Sequence, residues 1–144
     1  MTEVAALVTG AMPVVLSELQ ETLRNQGSVA PVAYVLADSG GDRMLMVSLA
    51  SRSESNKQLS IANVREAAAA YPAVAVVWAE EGWLTDSVGR QPGIFVEVQM
   101  AHGAWYRLGV PVTEDEDGAA TFDAAVAVTR LAPYAGPPLF ARAF

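Results

Sequence analysis

The residues of this chain most suggestive of chemistry lie in AVVWAEEGWLTD, Ala75 to Asp86, where an apolar run ends in adjacent carboxylates between two tryptophans. To work as a catalytic pair, Glu80 and Glu81 would have to face one substrate. On an extended segment, neighbouring side chains point to opposite faces, so the two do not converge. Read as a connection between strands, residues 80–93 form a loop that also holds Trp83, Asp86 and Arg90. Loops of that length in small domains tend to carry function. Trp83, Asp86 and Arg90 are therefore candidate binding residues, and a small carboxylate-based or metal-dependent enzyme with its site at this 80–93 loop, assisted by Glu97, is one reading.

Other chemically suggestive residues give weaker patterns. His102 is the sole histidine, has no second histidine to share a metal, and is expected at an exposed hairpin tip. The run Glu114 to Asp117 supplies four carboxylates before Gly118 but lacks the alternate spacing and distant glutamate of a calcium loop. The stretch SLASRSESNK could offer amides and positive charge to an anion at a helix start, although serines there ordinarily cap the helix. No cysteine is present, so thiolate catalysis and cysteine-ligated metal are excluded. Walker, H-E-x-x-H and G-x-S-x-G patterns are also absent. No catalytic residue, metal ligand or cofactor is predicted, and the balance leans away from an enzyme.

The positioning elements follow from period. MPVVLSELQETLRNQG carries Pro13 in a first turn, apolar residues at helical spacing and Gly27 as a stop, predicting a helix over 13–26. PVAYVLADSGGDRMLMVSLA reads as a hairpin with a Gly-Gly turn, pairing Leu36 with Leu45, Tyr34 with Val47 and Val32 with Leu49. Both of its faces are apolar, so it belongs inside a covered sheet or against a partner. A second helix is predicted over 57–71, with Ser55 and Gln58 as a capping box and Pro72 beyond its end. AVAVVWA is a third strand. In GIFVEVQMAHGAWYRLGVPV, a three-residue turn at Ala101 to Gly103 pairs Val96 with Leu108, Val98 with Tyr106 and Glu97 with Arg107. Phe122, Ala124, Val126 and Val128 alternate as a last strand. The result is an α+β fold with two helices and a mostly antiparallel sheet of five to six strands, in the order α-β-β-α-β-β-β-β.

Composition bounds what such a fold does. At 144 residues, 52% hydrophobic and 17% charged, the chain has the length and apolar content of one self-folding domain, placed at 1–132. Sixteen acidic against nine basic residues, a net charge of −7, disfavour nucleic acid as a partner. No apolar run spans a bilayer, and Glu3 stands where a secretory signal carries positive charge, so a cytoplasmic location without membrane contact is expected. The tail, residues 133–144, mixes Pro133, Pro137 and Pro138 with Tyr134, Leu139, Phe140 and Phe144. It must wrap onto its own domain or dock on another chain. The leading expectation is a non-enzymatic module that binds a protein partner or itself, as a homo-oligomer, through an apolar sheet face and this tail. Tyr134, Phe140 and Phe144 are its candidate contacts. A structural subunit of a larger assembly, such as a phage particle, is an alternative.

Overall fold

The computed structural model describes residues 3–49, 53–87 and 89–144. Two helices, α1 (Glu3–Thr9) and α2 (Ala11–Gln26), precede strands β1 (Val32–Leu36) and β2 (Met44–Ser48). Helix α3 (Glu54–Ala70) leads to the long strands β3 (Ala75–Asp86) and β4 (Gly89–Met100), then β5 (Trp105–Pro111). Short elements complete the chain: β6 (Thr113–Glu114), β7 (Ala120–Thr121), α4 (Ala124–Thr129) and β8 (Ala132–Pro133). Six strands form one antiparallel sheet in the order β2-β1-β3-β4-β5-β8, and β6 and β7 pair separately. The α+β expectation holds, with two additional short helices.

The sheet is covered on both faces. Over one face, Leu7 of α1, Met12, Leu16, Leu19 and Leu23 of α2, and Ala127 of α4 bury Tyr34, Val77, Val96, Val98 and Leu108. α2 buries this stripe while Ser17, Glu18, Glu21 and Arg24 face water, as its period requires. Gly27, in the left-handed region at φ 76°, ends it by donating its N–H to Leu23 O. Over the other face, Val64 and Ala68 of α3 share a cluster with Ala33, Val35, Val76, Trp78 and the tail residues Leu139, Phe140 and Ala143. α3 starts on Ser53, whose hydroxyl accepts from Asn56 N, not at the Ser55 box.

Three expectations are corrected. The first hairpin is shifted by one residue: Val32 pairs with Ser48, Tyr34 with Met46 and Leu36 with Met44. The turn is longer than Gly-Gly because Asp38 Oδ1 accepts from Gly41 N and Asp42 N, and Ala37 N donates to Arg43 O. Ser39 O is also held by Ala11 N, an approach so close that a Cβ on Gly10 would lie 2.4 Å from that oxygen. The shift exchanges faces, placing Met44 and Met46 beside Tyr34, and Leu45 and Val47 beside Val35. The hairpin is not in the middle of the sheet either, since β2 is an edge strand in the strand order. Second, Phe122 to Val128 is not a strand; Asp123 accepts from Val126 N and caps α4. Third, residues 80–93 are not a loop. They continue the β3–β4 ladder as far as Asp86 opposite Gly89.

The second hairpin follows its expected turn. Val96 faces Leu108, Glu97 faces Arg107 and Val98 faces Tyr106, with Gly103 at φ 104°. Its tip leaves His102 exposed.

Candidate functional site

Among the described residues, β3 has no outer sheet neighbour beyond Ala79, where β1 begins, and β4 has none beyond Pro92, whose carbonyl accepts from Val112 N just past the end of β5 opposite Gly93. The hairpin therefore projects as a two-stranded arm. Ala101 N donates to Val74 O, which fixes the ladder phase, so even-numbered residues of β3 bond to β4 and odd-numbered ones face outward. The backbone N–H and C=O of Trp83 and Thr85 thus lie on an open edge. Trp83 is 57% exposed, and the Arg90 guanidinium sits 4.8 Å from its ring centroid. Trp83 and Arg90 are brought together on one face of the arm. Asp86 ends β3, and its side chain lies outside the described residues.

The other three candidates lie at the opposite end of the molecule's sequence and on the body. Tyr134 stacks on Arg107, whose guanidinium carbon is 3.7 Å from the ring centroid. Phe140 stacks on buried Trp78 at 5.8 Å between centroids. Phe144 remains half-exposed at 50%. The tail is held here by Glu97 and Gln99, two fully buried polar residues at alternate positions of β4. Glu97 Oε2 accepts from Leu139 N, and Oε1 from Arg107 Nε at 3.0 Å. Gln99 Nε2 donates to Ala141 O and to Glu97 Oε2, while Gln99 Oε1 accepts from Ala143 N. Arg107 also donates to Pro137 O. The sheet grips the tail's backbone as well as its side chains.

The sequence missed Gln99 and Trp78. The signal was available in VEVQM, where two polar residues interrupt an apolar strand at a spacing that puts both on one face. Trp78 Nε1 is buried without a hydrogen-bond partner.

Glu80 and Glu81 diverge as their adjacency dictates. Glu81 accepts from Val29 N on the α2 face. Glu80 lies on the α3 face, where burial pushes its carboxyl pKa up against the opposing pull of Lys57 and Arg107. The acidic turn is organised by Asp115, which accepts from Asp117 N and Ala119 N and pairs with Arg24 at 3.2 Å. Among the described residues no group of acidic or histidine side chains is arranged to hold a metal ion. Ala50, Ser51 and Arg52, within the stretch read as a candidate anion loop, lie outside the described residues. Among the described residues, no helix is long and apolar enough to cross a membrane. No family model, curated protein or solved structure matches this chain.

Proposed function

We propose that this chain is a non-enzymatic module for protein interaction or self-assembly, and that its contact surface is the β3–β4 arm. The sheet faces favoured by sequence alone are covered by the protein's own helices and tail, with Tyr134 and Phe140 packed on the sheet and Phe144 half-exposed. Support comes from the arm itself: an open β edge carrying an exposed tryptophan is a template for pairing with another strand. Pairing of one arm with its copy across a two-fold axis would be self-complementary, with Trp83 near Trp83. The carboxylates near the arm face different ways, which argues against a shared catalytic site.

Size-exclusion chromatography with light scattering across a concentration series tests this. A mass above the monomer is expected at high concentration. Thr85→Pro removes an outward N–H that the β4 ladder does not use, so it should return the protein to monomer with its melting temperature nearly unchanged. A monomer at every concentration would contradict self-assembly through the arm.

A further inference from the structure

A second open edge lies on β2, whose one sheet neighbour among the described residues is β1. Leu49 N donates to Pro31 O and Ala37 N to Arg43 O, so odd-numbered residues of β2 bond to β1. The N–H and C=O of Met44, Met46 and Ser48 consequently point away from the sheet. The side chains of those residues share a face with Val32, Tyr34 and Leu36, on the side of α2, and Met46 stays 58% exposed.

Between α2 and β2 run two adjoining grooves of about 290 and about 190 Å³, both lined by Thr22, Gln26, Tyr34 and Met46. Glu18 and Glu21 line the larger one. Tyr34 is only 2% exposed, yet it lines both grooves. Its ring stands on the α2 side of β1, and Glu18 is the charge it senses; burial and that carboxylate raise its pKa to about 12. At neutral pH it is therefore a phenol on the wall of a space that Glu18 and Glu21 also line.

We propose that this groove binds an extended basic peptide, which adds to β2 as a further strand and seats one Lys or Arg side chain between the Tyr34 hydroxyl, Glu18 and Glu21. Three separate features select that ligand. The outward amides and carbonyls of β2 recognise a peptide backbone. Alternate residues of an added strand point to the groove side, so one peptide satisfies both edge and groove. The carboxylates choose a cation, and the phenol oxygen adds a further acceptor beside them. A second copy of this chain fits poorly, because each copy carries a net charge of −7 and would bring acidic groove against acidic groove.

The experiment is titration of the ¹⁵N-labelled protein with an eight-residue peptide of alternating Lys and Thr, read by amide chemical shifts. The expected shifts centre on Met44, Met46, Ser48 and the Glu18 to Gln26 stretch, and the affinity falls as salt rises. Glu18→Gln and Tyr34→Phe should each weaken binding about two- to fivefold. The same peptide N-methylated at alternate residues keeps its charge but cannot pair with an edge, and should bind at least about tenfold more weakly. Equal binding by the methylated peptide would overturn the proposal as mere adsorption of a cation. Shifts that map to the arm, or no shifts at millimolar peptide, would overturn it as well. Self-association through the arm is read separately by mass, so either idea can fail alone.

Discussion

The two faces of the sheet are covered by different means, and the contrast explains where this protein buries its polar groups. Helices cover one face. A helix satisfies its own backbone, so the residues beneath it are Tyr34, Val77, Val96, Val98 and other apolar side chains. Across the other face runs the irregular tail beside α3. Its N–H and C=O groups have no ladder, so the strand below must provide partners. Glu97 and Gln99 do this, at full burial, for Leu139, Ala141 and Ala143. A polar pair inside an apolar strand is thus the imprint of a non-helical cover.

The largest effect expected from breaking this contrast is at Glu97. Glu97→Ala leaves Leu139 N unpaired and strands Arg107 beside the tail, and should cost about 3–5 kcal/mol in denaturant unfolding. A finer comparison uses one kind of substitution on each face. Leu16→Met, beneath the helices, should cost less than about 1.5 kcal/mol. Gln99→Met, of similar size, removes an acceptor and two donated bonds, and should cost about 1–3 kcal/mol. Equal costs would erase the distinction between the faces.

The smallest effects are in pH dependence, where each face has its own group. Glu80, on the α3 side, has a raised carboxyl pKa, so the native state holds that proton more tightly than the unfolded chain. Its contribution is present below the ordinary carboxylate range and is lost as pH rises through the raised value. Glu80→Gln should flatten the stability profile there. Tyr34, on the α2 side, has a pKa of about 12 against 10.0 for the free group, so stability should fall as pH climbs between them. Tyr34→Phe should remove that alkaline decline, measured by denaturant midpoints at stepped pH.

Much of the fold was legible from sequence because its signals are local. α2 carries a stripe and two punctuating residues, and the β4–β5 turn was selected by keeping Glu97 opposite Arg107 and apolar side chains opposite one another. The β1–β2 register was not legible, since the Asp38 side chain and the Ser39 contact to α2 set the turn, and both faces of the hairpin are apolar under either register. The arm was read as a loop because only its base is covered, where Leu84 lies over Gly93 and Gly109, so the segment shows no alternating pattern, and Gly82, Pro92 and Gly93 resemble punctuation. α4 was read as a strand because a six-residue apolar helix is too short to show its period. For the candidate residues, Trp83 and Arg90 do meet, whereas Tyr134 and Phe140 are spent on the protein's own sheet.

Amide hydrogen–deuterium exchange at low and high protein concentration tests most directly whether the tail is core and the arm is contact. Leu139 and Ala143 amides should be protected to the same degree at both concentrations, while Trp83 and Thr85 amides should exchange fast when dilute and slow when concentrated. Arm amides indifferent to concentration, together with tail amides that exchange freely, would contradict both halves.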